Sequence, residues 1–157
     1  MNIVEKFINI IGEYISYLIP LMTLLMIIVI VSRYFFGIGQ TGLQELVMYF
    51  HALVFLGCAG YVMNMDEHVR VDIFYRDASN KYKDRINIIF GFLFLLPIII
   101  ITFIYSLETI EASWKMKEVS TEAGGLAYVF VQKTFLILFP ITLMAALINQ
   151  LLKIKWK

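Results

Sequence analysis

Four stretches of this chain contain no Asp, Glu, Lys or Arg, and their lengths constrain the fold more than any other feature. They run from Tyr14 to Ser32 (19 residues), Leu46 to Met65 (20), Ile86 to Leu107 (22) and Thr134 to Leu152 (19). An α-helix rises 1.5 Å per residue, so about 20 apolar residues cover the roughly 30 Å hydrocarbon core of a bilayer. In lipid an unpaired backbone amide costs several kcal/mol, which restricts a spanning segment to a helix or a closed barrel. Barrel strands would alternate apolar and polar residues over ~10 positions, and these stretches do not. The sequence therefore predicts an all-α membrane protein with four transmembrane helices, at about 14–34, 45–65, 86–108 and 128–152 of a single domain, 1–157.

The first stretch is not read as a cleaved signal. Glu5 and Glu13 make its head acidic, its apolar run is long, and no small-residue cleavage site follows. With four spans, the N-terminus, the second loop and the C-terminus share one side. Nine Lys and Arg lie there (Lys6, Arg70, Arg76, Lys81, Lys83, Arg85, Lys153, Lys155, Lys157), against Arg33, Lys115, Lys117 and Lys133 opposite. The positive-inside rule then places both termini in the cytoplasm. Tyr14, Tyr34, Tyr128 and Trp156 lie near span ends, the depth that amphipathic rings prefer.

Several function classes are disfavoured by what is missing. A net charge of +1 excludes a basic nucleic-acid binder. The only cysteine is Cys58, so there is no disulfide framework, thiolate zinc site or dithiol redox pair. An ionisable residue at mid-bilayer costs at least ~2.5–3.5 kcal/mol and marks an ion or proton path. None of the four cores has an acid, a lysine or an arginine, and His51 is their only histidine. A pair of haem-ligating histidines inside the bundle is thereby excluded too.

The remaining polar and small residues have modest readings. His51 is read as a neutral imidazole bonded within the bundle or to a partner helix, rather than as a proton relay. His68 and Asp72 stand at i,i+4 beside Asp66 and Glu67, yet without a second histidine they read as solvated groups rather than a metal site. Glu108 and Glu111 read as an exposed helix end, and Cys58 as a small packing residue. Gly57, Cys58, Ala59 and Gly60 form a run of small residues that lets another helix approach closely, either in this chain or in another subunit. Pro20, Pro97 and Pro140 each remove an amide within a span and predict kinks. The loop 66–85 mixes charges with Val69, Val71, Ile73, Phe74, Tyr75 and Tyr82. It is read as a segment in the headgroup zone, with a short amphipathic helix parallel to the membrane. Its basic residues face anionic lipid, or Arg70 and Asp72 pair with a partner.

Beyond this physical reading, the chain resembles a known family. Arg33-Tyr-Phe-Phe-Gly37 closes the first span and Gln44-Glu45 opens the second. There follow His51-Ala52, Gly57-Cys-Ala-Gly-Tyr61, Glu67-His-Val-Arg-Val-Asp72 and Gly124-Gly-Leu-Ala-Tyr128. Together these resemble the small membrane subunit, the Q-type or DctQ-like family, of tripartite ATP-independent periplasmic (TRAP) transporters. The departure is Ala127, where the family often has proline.

The resemblance implies a non-catalytic scaffold subunit in a bacterial inner membrane. It implies a large M-type partner that binds sodium and substrate, and a periplasmic binding protein that delivers an organic acid anion. No cofactor is expected on this chain, and sodium is expected on the partner. Arg33 and Glu45, which bracket the first extracytoplasmic loop, are expected to fix that loop or touch the binding protein. His51, Gly57, Gly60, His68, Arg70 and Asp72 complete the expected structural or partner-facing set. The rival expectation is an autonomous homo-oligomeric transporter or channel lined by His51, Asn64, Thr102 and Ser106.

Overall fold

The computed structural model describes residues 3–65 and 79–155. Among them the regular structure is helical, and four helical segments are long and apolar enough to cross a membrane. The expectations for His68, Arg70 and Asp72, and for a membrane-parallel helix around them, lie outside the described residues.

The first segment joins α1 (Ile3–Ser16) to α2 (Leu18–Phe36) across an irregular step at Tyr17. Pro20 explains the step, since it has no amide to give the Ser16 carbonyl. Gly37 then ends α2 in the left-handed region at φ 66°, and the Ile38 amide donates back to Ser32 O at 3.0 Å. A residue with a side chain would be strained there.

The second segment is α3 (Thr41–Gly57) followed by α4 (Ala59–Asn64), with the bend at Cys58. The third begins at Ser79, whose hydroxyl accepts from the Tyr82 amide and caps α5 (Asn80–Phe90). It continues through a π-helical turn, Gly91–Leu95, into α6 (Leu96–Met116). The wide turn falls just before Pro97, which withholds the amide that Leu93 O would otherwise accept.

The fourth segment comprises α7 (Val129–Thr134), a tight turn at Phe135–Ile137, and α8 (Leu138–Lys155). Here Pro140 frees the Leu136 carbonyl, and the Ser106 hydroxyl lies 3.5 Å from it while donating to Thr102 O at 2.6 Å. Every intramembrane proline thus coincides with a local departure from regular helix.

The segments are not arranged in chain order. The first packs on the second, the second on the fourth, and the fourth on the third. The fourth segment is therefore central, and α1 also reaches α8. The small core lies where α8 meets α4 and α6, at Ile99, Leu143 and Leu147 with Ala59, Met63 and Phe139 around them. Long apolar side chains of α2, α6 and the π-helical turn before it point away from the bundle, among them Leu24, Ile28, Phe94 and Ile101. Such faces suit lipid, where helix association depends on close packing and interhelical hydrogen bonds more than on the hydrophobic effect.

Candidate functional site

Three sets of contacts give this bundle its specificity. The first is at the end that carries the loops 37–40 and 117–128. Glu45 stands just past the first turn of α3. One carboxylate oxygen accepts the Ser120 hydroxyl, and the other accepts the Leu126 amide at 2.6 Å. Ser120 and Leu126 are themselves joined, amide to carbonyl, at 3.0 Å. Gly125 allows this clasp, since a Cβ there would lie 2.7 Å from a Glu45 oxygen. Glu45 thus secures the loop between α6 and α7, across the bundle from its own loop.

The same loop is fastened again at its start. Glu118 accepts from Lys133 Nζ at 2.5 Å and from the Ser113 hydroxyl at 2.7 Å. The Lys133 hydrogen bond, then the Ser113 one, hold the Glu118 carboxyl below its ordinary range. Trp114 donates from Nε1 to Thr134 Oγ1 at 2.9 Å and meets Phe130 edge-on at 4.7 Å. Lys117 Nζ caps the Trp114 ring at 4.5 Å from its centroid. A charge-assisted bond to a carboxylate is stronger than one between neutral groups. Glu45→Ala is accordingly expected to raise amide hydrogen exchange of residues 120–126 by about ten-fold, while exchange in α6 stays as it was. Unchanged exchange at Leu126 would refute the clasp.

Arg33, at the last turn of α2, does not join this clasp. It lines a groove of about 440 Å³ with Gln44, Glu45, Tyr49, Glu122 and Gln132. Tyr49 is 8% exposed, and its hydroxyl has no hydrogen-bond partner among the described residues.

The second set is the close contact of α4 with its neighbours. A Cβ on Gly60 would fall 2.1 Å from Thr142 O, on Gly57 2.6 Å from Ile15 Cδ1, and on Gly12 2.2 Å from the Tyr61 ring. The Gly60 amide donates to Thr142 Oγ1 at 3.3 Å, and Cys58 Sγ lies 3.7 Å from Gly12 O. Of the two readings left open by the sequence, the structure uses the small residues for contacts within the chain. Gly12 was not flagged by the sequence, because a lone glycine in an apolar helix carries no pattern.

The third set lies towards the opposite end. Asn64 donates from Nδ2 to Asn9 Oδ1 at 2.8 Å, and Asn149 donates from Nδ2 to Asn64 Oδ1. Asn149 is fully buried. The ladder joins α1, α4 and α8, and Lys153 Nζ pairs with Glu5 at 2.9 Å beyond it. Asn149 and Asn9 were not among the residues singled out from the sequence; an amide in a charge-free core is the signal that finds Asn149, while Asn9 lies outside those stretches, between Lys6 and Glu13.

His51 belongs to none of these sets. It is exposed on α3 and stacks on Phe55, ring centroids 6.2 Å apart. Gln44, Met48, His51 and Phe55, all exposed, fall at helical spacing along one stripe. Of the polar groups of the rival channel reading, Asn64 and Ser106 bond inside the bundle, while His51 is exposed.

The sequence model of a family described as "Tripartite ATP-independent periplasmic transporters, DctQ component" matches residues 22–154. No curated protein and no solved structure matches the chain.

Proposed function

Since the chain belongs to the DctQ component family of the tripartite ATP-independent periplasmic transporters, we propose that it is the small scaffold subunit of a sodium-coupled importer of organic acid anions. In this reading it sits in a bacterial inner membrane with both termini in the cytoplasm. It associates with a large M-type subunit, which carries the sodium and substrate sites, and works with a periplasmic substrate-binding protein. The loops 37–40 and 117–128 then face the periplasm.

The observation that carries the reading is the placement of His51. Inside the bundle, the side chains of Asn9, Asn64 and Asn149 bond to one another, and Thr142 accepts the Gly60 amide. His51, the one histidine among the charge-free cores, is turned outward on the Gln44–Phe55 stripe. A polar imidazole facing bare lipid is unfavourable, and a hydrogen-bonding partner helix removes that cost. A scaffold with a closed interior and one polar outward contact suits a subunit that supports transport chemistry elsewhere.

The test is co-expression with the large membrane subunit encoded beside it. His51→Phe is expected to leave the thermal unfolding of the isolated chain unchanged, because His51 is exposed and its ring stacks on its own helix neighbour Phe55. It is expected to weaken recovery of the large subunit by about ten-fold, the equivalent of one interhelical hydrogen bond in lipid. Undiminished recovery rejects the stripe as the interface. Sodium-driven solute accumulation in vesicles by this chain alone rejects the scaffold reading.

A further inference from the structure

The groove at the loop end has a polar lining that the clasp does not consume. It lies between the last turn of α2, the first turns of α3 and the start of α7. Its volume, about 440 Å³, falls within the range of small-molecule sites, about 300–1,000 Å³, and far exceeds that of one water.

Three features define what it can hold. The first is Tyr49, a lining residue whose hydroxyl is buried and without a partner among the described residues. Buried polar atoms are nearly always bonded, so this phenol is a donor available to a ligand oxygen. The second is charge. Arg33 and Glu122 line the groove with exposed side chains, and neither enters an ion pair among the described residues. Glu45 is spent on Ser120 and Leu126, while the amides of Gln44 and Gln132 add neutral donors and acceptors. One cation and one free carboxylate in the same groove match a zwitterion better than an anion or a cation alone. The third is depth. Arg33 is in the last turn of a helix long and apolar enough to cross a membrane, which in a bilayer puts it near the headgroups, and Met48 leads from the groove onto the exposed stripe of α3.

We propose that this groove binds the phosphoethanolamine headgroup of a membrane phospholipid. The phosphate takes the Arg33 guanidinium fork and the Tyr49 hydroxyl, the ammonium lies against Glu122, and the acyl chains leave past Met48. A lipid held there fills the notch between α2 and α7 and braces the Glu45 clasp from its open side. The inference rests on the groove alone and does not depend on sodium coupling or on which subunit covers His51. A soluble phosphomonoester shares the headgroup chemistry, and a charged side chain of a protein partner is the other possible occupant.

The experiment purifies the full chain in detergent from membranes rich in phosphatidylethanolamine and identifies retained lipid by mass spectrometry. Nanodiscs containing phosphatidylethanolamine, phosphatidylglycerol or phosphatidylcholine follow. Phosphatidylethanolamine is expected to survive detergent washing in stoichiometric amount. Arg33→Ala and Tyr49→Phe are each expected to reduce its retention about ten-fold, with Arg33→Lys between them and the wild type. Tyr49→Phe conserves shape, so its thermal unfolding in lipid-free detergent should match the wild type and separate lost binding from lost folding. Equal retention of phosphatidylglycerol overturns the zwitterion assignment. Displacement of lipid by soluble phosphoethanolamine assigns the groove to a free phosphomonoester instead. Absence of retained lipid, with a co-purifying protein lost from both variants, assigns it to a partner's side chain.

Discussion

Gly60→Ala is expected to lower the stability of the detergent-solubilised chain by about 3 kcal/mol, at the upper end of ordinary overpacking penalties. The added Cβ would lie 2.1 Å from the Thr142 carbonyl oxygen and 2.4 Å from its carbon. These are backbone atoms of α8, so no rotamer change relieves the overlap, and α4 must withdraw. Withdrawal also breaks the bond from the Gly60 amide to Thr142 Oγ1 and opens the core around Leu143 and Leu147. Folded domains retain only about 5–15 kcal/mol in total, so the loss is large. The measurement is thermal unfolding against Gly39→Ala, where nothing lies within 4 Å of an added Cβ. Equal midpoints for the two variants would show that α4 and α8 do not approach as described.

Asn149→Leu is expected to cost about 2 kcal/mol, because it leaves the Asn64 side-chain oxygen without its buried donor. Asn149 is fully buried and reaches Asn64, which in turn reaches Asn9. Three helices are therefore linked through one residue, Asn64. Removing both groups should hurt less than the sum of the single changes, since an orphaned polar atom costs more than a pair deleted together. In a double-mutant cycle with Asn64→Leu, a coupling of about 1 kcal/mol is expected. Additive effects would mean that the two amides act independently. The amide ladder and the Gly60 contact both join α4 to α8: in lipid, neighbours are chosen by fit and by hydrogen bonds, not by apolarity.

Much of the architecture was legible before any coordinates. Charge-free runs of bilayer length locate the spanning helices, since a charge inside the core is costly whichever helices surround it. The prolines predicted irregular backbone, and each of Pro20, Pro97 and Pro140 has it nearby. The small-residue run at Gly57–Gly60 was recognised as a contact site, though not whose contact. Glu45 was singled out, yet its partners, Ser120 and Leu126, were not, because nothing near Glu45 in the chain points to them.

By itself, then, the sequence determined the number of spans, their helicity, and the absence of charged chemistry within them. Those are local consequences of solvent: each residue meets lipid or water whatever its neighbours do. The tertiary structure alone decided that the fourth segment is central, that Glu45 clasps a loop 81 positions away and that Asn149 meets Asn64 across 85. Such pairings depend on which helix lies against which, and a uniformly apolar surface carries almost no record of that choice.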